Sequence, residues 1–441
     1  MEEKLVEKNL GRYAAVRTKK GDFEGILMPE TDGALFIKLK NGYNIGINKQ
    51  DILSISELKE KSEKIDKESE IKKEKLVAKK NLPTITILHT GGTIASRVDY
   101  ETGAVKAQFS PEEIIELVPE LQEFANIKSR LIRNMMSDDM RFSHYNLIAD
   151  EIKKEIESGT DGIIITHGTD TLHYTGAALS FMLENLSIPV ILVGSQRSSD
   201  RGSSDAVYNI ISSAYFVSHS DFSGVAICMH SEMSDEWADV LPACKTRKLH
   251  SSRRDAFKPV NSSLIARVNF REEKIEFIKK EYPKRNKERS LSVTHFNENL
   301  KIAIVKSHPN MSADEITAFR GFDGIVLEGT GLGHMPISEN DELTKEHSRI
   351  FSAIEELSKK GIVAMSTQTI FGRVDMNVYS PGRRLVEAGV IGNYSDMTPE
   401  TTFIKLAWLL SNFKKAEIIK ENLLLKNFRG EISERSGTDF L

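Results

Sequence analysis

The sequence predicts a small antiparallel β-barrel followed by an α/β fold of two domains with parallel sheets. Three observations predict it. Near the start, short apolar segments are punctuated by glycine turns; from Glu57 to Lys80, Lys and Glu interleave; from Pro83 onward, β-branched apolar runs alternate with amphipathic stretches. The last pattern implies strands joined by helical crossovers, the grammar of a parallel sheet. The boundaries that follow are 1–56 for the barrel, 57–82 for a charged linker, 83–299 for a larger α/β domain carrying the site, and 300–441 for a smaller one.

Each element has a local reason. Tyr13 to Arg17, Gly25 to Leu27, Ala34 to Leu39 and Tyr43 to Ile47 read as barrel strands, separated by Lys20-Gly21, Asp32-Gly33 and Asn41-Gly42. Asn-Gly between such segments is a strong hairpin signal. This module reads as an SH3-like or Sm-like interaction unit. Its Lys19, Lys20, Lys38 and Lys40 lack the aromatic stacking platform that direct RNA binding uses. The linker reads as a solvated helix, with too few apolar positions to pin it to a core.

In the α/β part, Ile85 to Leu88 and Ile163 to Thr166 are continuous apolar runs, as expected of strands buried on both faces. A helix is predicted from Ser110-Pro111-Glu112-Glu113, which supplies an N-cap, a first-turn proline and a capping-box glutamate, to Pro119. A second runs from Ser143 to Ser158 and closes at Gly159. Strands follow at Val190 to Val193 and Val225 to Met229, and a charged, poorly periodic stretch spans Arg271 to Asn299. The second unit has strands Ile302 to Val305, Gly324 to Leu327 and Ile362 to Ala364, with its last long helix near Thr401 to Leu410.

Composition narrows the function. At 441 residues the chain has ample core, and a net charge of −4 gives no global basic field for nucleic acid. Cys228 and Cys244 sit in no metal-ligand or redox spacing, which favours reduced thiols and a cytoplasmic setting. The start, Met1-Glu2-Glu3-Lys4, has no signal-type apolar core, and no run is long enough to span a bilayer. The eleven histidines show no metal-binding spacing, and His89 and His167 read as packing residues. Gly329-Thr330-Gly331-Leu332-Gly333 follows a strand but lacks the dinucleotide-binding spacing. Lys279 to Arg289 reads as a solvated basic surface, with a tRNA or partner contact as the sharper alternative.

The chemistry concentrates in two turns. Thr90-Gly91-Gly92-Thr93 and His167-Gly168-Thr169-Asp170-Thr171 each follow a predicted buried strand, so both emerge where open α/β sheets bind ligands. Taken singly, the first turn also suits a phosphate and the second a helix N-cap. Together they suit hydroxyl-based amide cleavage, which needs a base or proton path and donors for the oxyanion. Asp170 is placed to orient a base or a water. Lys248, in Thr246-Arg247-Lys248-Leu249-His250-Ser251-Ser252, is the candidate cation to complete a relay, because a desolvated lysine paired with an aspartate can move protons. By composition alone either threonine suits the attack.

Thr86 to Ala95 and Ile164 to Thr171 resemble the two signature segments of the bacterial-type L-asparaginases, and the resemblance spans roughly Pro83 to Phe413. It implies a two-domain asparaginase-like fold, Thr93 as primary nucleophile, and Thr169, Asp170 and Lys248 as the second catalytic group. Tyr100 resembles the tyrosine of a mobile active-site loop and Ser137 the serine on the substrate α-carboxylate, with Gly92 and Gly168 lining the substrate. The added barrel and linker, Arg253-Arg254 and the Glu328 to His334 turn make the chain similar to the family of D subunits of archaeal glutamyl-tRNA(Gln) amidotransferases. That resemblance implies a glutaminase or asparaginase subunit, homodimeric within a heterotetramer, that passes ammonia to an E subunit. The E subunit holds Glu-tRNA(Gln) and uses ATP and Mg²⁺; no cofactor or metal is implied in this chain, which carries no Walker-type loop. A free-standing L-asparaginase and a non-catalytic RNA-binding or scaffold protein are the competing expectations.

Overall fold

The computed structural model describes residues 12–19, 21–31, 34–39, 44–57, 79, 81–91, 96–98, 105–107, 118–197 and 204–435. Alternation builds the first module: in Tyr13–Thr18, Ala14, Val16 and Thr18 are buried and their neighbours are not. Five antiparallel strands run in the order Asn44–Asn48, Ala34–Leu39, Gly21–Thr31, Tyr13–Thr18 and Ile52–Glu57. They enclose Leu27, Leu35, Ile37 and Ile47. The second strand is longer than the sequence suggests, and the fifth was not expected. A register shift between Arg17 and Thr18 explains the miss, because it breaks the alternation opposite Ile52 to Glu57.

Most of the charged linker lies outside the described residues. Its end is fastened by Asn126, whose side chain accepts from the Lys79 amide at 2.8 Å and donates to the Lys79 and Leu82 carbonyls at 2.9 and 3.0 Å. The helix expected from Ser110 begins outside the described residues.

The main sheet has eight strands, in the order Lys274–Phe277, Ala266–Asn269, Ala238–Pro242, Gly224–His230, Pro189–Val193, Gly162–Thr166, Thr84–His89 and Asn126–Leu131. The last five are parallel, and their central members are apolar throughout because helices cover both faces. The first three are antiparallel, so the expected parallel sheet carries an antiparallel extension at one edge. Part of the stretch read as charged and aperiodic is therefore an edge strand, Lys274–Phe277, whose outer residues face water.

The helix expected from Ser143 to Ser158 spans Phe142–Glu157, and Gly159 follows it at φ +85°. The second unit holds three parallel strands, Ile302–Lys306, Gly324–Gly329 and Ile362–Thr367. Its long helix is Pro399–Asn412, started by Pro399 and by Thr398, whose hydroxyl accepts from the Thr401 amide. A further, shorter helix, Ala416–Leu425, follows it.

One apolar core joins the two units. Phe181, on helix Leu172–Met182, stacks on Trp408 with ring centroids 5.6 Å apart, inside a cluster that includes Ile163, Leu406 and Leu409. Two fully buried ion pairs reinforce it: Lys245 with Asp396 at 2.7 Å and Lys405 with Glu431 at 2.7 Å.

Candidate active site

Both turns leave the carboxyl ends of neighbouring strands, where Thr166 pairs with His89. The Thr90 amide and hydroxyl each donate to the Thr166 carbonyl, at 3.1 and 3.0 Å. Gly91 sits at φ +112°, and a Cβ there would collide with the Met135 backbone, so this position requires glycine. Gly92, Thr93 and Tyr100 lie outside the described residues.

The second turn is built against the loop bearing Ser137. A Cβ on Gly168 would lie 2.8 Å from that of Ser137, and the Thr171 hydroxyl donates to the Ser137 carbonyl at 2.6 Å. Ser137 and Gly168 are thus brought together, with Ser137 buried. On the far side, Gly194 is small enough to let the Thr169 methyl approach. Asn209 holds the Gly194 carbonyl at 3.0 Å, so the walls that orient Thr169 are themselves fixed. Asp170 lies just before helix Leu172–Met182, where the helix dipole favours a carboxylate.

Lys248 reaches this turn from another element. It ends the short strand Thr246–Lys248, which pairs with Phe257–Pro259. Its Nζ donates to Thr169 Oγ1 at 2.9 Å and to Asp170 Oδ1 at 2.7 Å. The lysine side chain is 10% exposed and the aspartate 57%, so one end of the pair is dry and the other faces solvent. The structure therefore assembles Thr169, Asp170 and Lys248 into one hydrogen-bonded group.

Strand geometry explains a neighbour that the sequence reading missed. Successive side chains point to opposite faces, so Arg247 turns away from Thr169 and pairs with Glu400 at 3.0 Å. Burial raises the Glu400 carboxyl above its usual range, with Arg247 opposing. Arg247 and Lys245 together tie this ribbon to the second unit. An Arg-Lys pair in a strand was the available signal, but nothing in the sequence pointed to Glu400 or Asp396.

The histidines beside the turns are buried and neutral. Burial lowers His89 to about 3, and its ring nitrogens meet the hydroxyls of Thr166 at 2.7 Å and Ser129 at 2.9 Å. His167 is lowered to about 4, again by burial; its Nδ1 donates to the Gly168 carbonyl, which leaves Nε2 to accept from Thr175. Both pack the sheet, as expected.

Other sequence features resolve into structure. Gly329 to His334 forms a tight turn closed by reciprocal backbone bonds between Thr330 and His334, at 2.9 and 3.0 Å, and opens no helix. Part of the basic stretch is internal: Arg285 donates to the carbonyls of Asp161, Val217 and Ser220, closing the end of helix Ala206–His219. Cys228 and Cys244 are buried free thiols. Among the described residues no cluster of three His, Cys, Asp or Glu side chains converges as a metal site. No described helix is long and apolar enough to cross a membrane.

Comparison with known proteins agrees with this layout. The family "Asparaginase, N-terminal" matches residues 84–282, "Glutaminase/Asparaginase C-terminal domain" residues 301–423, and "GatD N-terminal domain" residues 9–58. The D subunit of the glutamyl-tRNA(Gln) amidotransferase of Pyrococcus furiosus is 45% identical over 423 residues, covering 94% of this chain and 92% of that one. Its counterpart from Methanococcus vannielii is 42% identical over 436 residues, covering 97% and 98%. Among solved structures, the thermostable L-asparaginase from Thermococcus kodakarensis superposes with a TM-score of 0.69 at 32% identity, covering 80% of this chain and 100% of its own. L-asparaginase I from Vibrio cholerae gives 0.67 at 27%, covering 80% and 99%.

Proposed function

The chain belongs to the family of D subunits of glutamyl-tRNA(Gln) amidotransferase, and on that premise we propose how its site works and what it serves. It is a glutaminase- or asparaginase-type amidohydrolase subunit of a tRNA-dependent amidotransferase. The hydroxyl of Thr93 attacks the side-chain amide carbonyl of glutamine or asparagine, the amide nitrogen leaves as ammonia, and water then releases the acyl group. Thr169, Asp170 and Lys248 carry the protons of these steps. Tyr100 and Ser137 hold the amino-acid end of the substrate, with Gly92 and Gly168 giving it room.

The observation that carries this reading is the contact of Lys248 with both Thr169 and Asp170. A hydroxyl beside an ammonium and a carboxylate can exchange a proton without a metal or a thiol. The module matched over residues 9–58 supports a complex rather than a free enzyme, because the solved asparaginases cover their own length while matching 80% of this chain. In that complex a homodimer of this chain joins an E subunit. The partner holds Glu-tRNA(Gln), ATP and Mg²⁺, and the ammonia released here converts the glutamyl group to glutaminyl.

The test is glutamine hydrolysis by the purified chain, alone and with its partner, with and without Glu-tRNA and ATP. Stimulation by tRNA and ATP in the complex is the expected result. Full activity that never responds to them would make the chain a free-standing asparaginase. Trapping with a reactive glutamine analogue should label Thr93, and label on Thr169 would reverse the two roles.

A further inference from the structure

A threonine side chain has three staggered positions, so a hydroxyl that must meet a partner needs its methyl placed as well. At Thr169 the hydroxyl receives Lys248 Nζ at 2.9 Å, and a Cβ built on Gly194 would lie 2.8 Å from the methyl. Gly194, just past the strand Pro189–Val193, is therefore the wall behind this side chain. Asn209, fully buried on helix Ala206–His219, fixes that wall: its Nδ2 donates to the Gly194 carbonyl at 3.0 Å and to Asp205 Oδ2 at 3.2 Å. With Nδ2 facing two acceptors, Asn209 Oδ1 is turned to the ring of His230 and accepts from its Nδ1 at 2.6 Å.

His230 closes the strand Gly224–His230, and its side chain is wholly buried. Tyr208 packs on the ring with centroids 4.6 Å apart. The second nitrogen, Nε2, lies 3.0 Å from Asp235 Oδ1 in the loop that follows the strand. That loop grips the hairpin bearing Lys248. Arg254, in the turn between Thr246–Lys248 and Phe257–Pro259, donates to Asp235 Oδ1 at 2.6 Å and to the Met233 carbonyl, and Lys258 donates to the Ser231 carbonyl at 2.6 Å. The wall behind Thr169 and the hairpin under Lys248 therefore converge on one imidazole.

On the amidohydrolase reading of the site, we propose that His230 is a positioning residue: it holds Thr169 through Asn209 and Lys248 through Asp235, so that hydroxyl and ammonium stay in register. Proton transfer depends steeply on alignment, and a displacement of about 1 Å can cost on the order of 10²-fold in rate. A buried ring engaged at both nitrogens has one orientation, which an apolar side chain of the same size would not supply.

The test follows glutamine turnover by the full-length chain in complex with its partner subunit. His230→Gln and Asp235→Ala should each lower kcat by about tenfold and leave KM within about twofold, because what is lost is alignment in the transition state rather than binding. In a Lys248→Met background neither change should lower the remaining rate further, since a positioning residue acts through the group that it positions. Asp235 is 45% exposed, so its variant reads the effect even where the change at the buried histidine weakens folding. Parental kcat in Asp235→Ala, a rise in KM that accounts for the loss, or an equal further loss in the Lys248→Met background would each overturn the proposal. Full turnover in Lys248→Met alone would overturn the amidohydrolase reading and the positioning role with it. Loss of turnover in Lys248→Met beside parental rates in both other variants would remove the positioning role and leave that reading standing.

Discussion

Lys245 and Lys248 sit on one short run, and each meets an aspartate at 2.7 Å, yet the two pairs are opposites. Lys245 and Asp396 are 0% and 2% exposed; Lys248 and Asp170 are 10% and 57% exposed. The buried pair joins the two α/β units, and burial pulls its lysine below the usual range while Asp396 opposes. The half-open pair touches a threonine hydroxyl and one of its members faces solvent. The same chemical pair is thus a fastener where water is excluded on both sides and, in the proposed mechanism, a proton carrier where one side stays wet.

The comparison breaks first at the fastener. Lys245→Met leaves the Asp396 carboxylate buried without its partner and should cost about 3–5 kcal/mol, measured by denaturant unfolding. Adding Asp396→Leu should recover most of that loss; a single variant as stable as the parent would dissolve the distinction. Lys248→Met should do the reverse, lowering glutamine turnover on the order of 10² to 10³-fold, about 3–4 kcal/mol in barrier, with unfolding nearly unchanged.

Acid should expose the buried side of the comparison more gradually. His89, His167 and His173 are pulled by burial from 6.5 to about 3, 4 and 3. Folded values below the unfolded one mean that the unfolded chain takes up protons first, so this stability is intact above pH 6.5 and is lost as pH falls toward the folded values. Each contributes a slope of up to about 1.4 kcal/mol per pH unit in that window. His89→Gln should flatten the measured slope by one proton, and an unchanged slope would mean that this ring is already charged in the folded chain. The smallest effect belongs to a fully wet pair. Arg17 and Asp22, 69% and 59% exposed, lie 3.3 Å apart, and Arg17→Ala should shift stability by less than about 0.5 kcal/mol.

What was legible in the sequence follows the same division. Strands buried on both faces were visible as apolar runs, as with Ile163 to Thr166, and a helix end was marked by glycine, as at Gly159, whereas the start at Pro399 was placed two residues late. Thr169, Asp170 and Lys248, which the structure brings into contact, were readable as candidates because hydroxyl-based amide cleavage draws on few residue types and because their segments carry a family resemblance. The edge strand Lys274–Phe277 was hidden by its solvent-facing charges, and the fifth strand of the first module by a register shift. Asp396 and Glu400 were unreadable for a different reason. A buried carboxylate looks like a surface one until its partner, more than a hundred residues away in sequence, is known.

The ribbon that carries Lys248 is held by Lys245 and Arg247 to Asp396 and Glu400 of the second unit, while Lys248 itself reaches the first. Lys248, Thr169 and Asp170 all lie in the first unit, but the ribbon that aims the lysine is braced by the second, so the proposed relay leans on a support outside its own unit. Loosening that brace should misplace the lysine while the main sheet still stands, so on heating glutamine turnover should fall at a lower temperature than the sheet's far-UV signal.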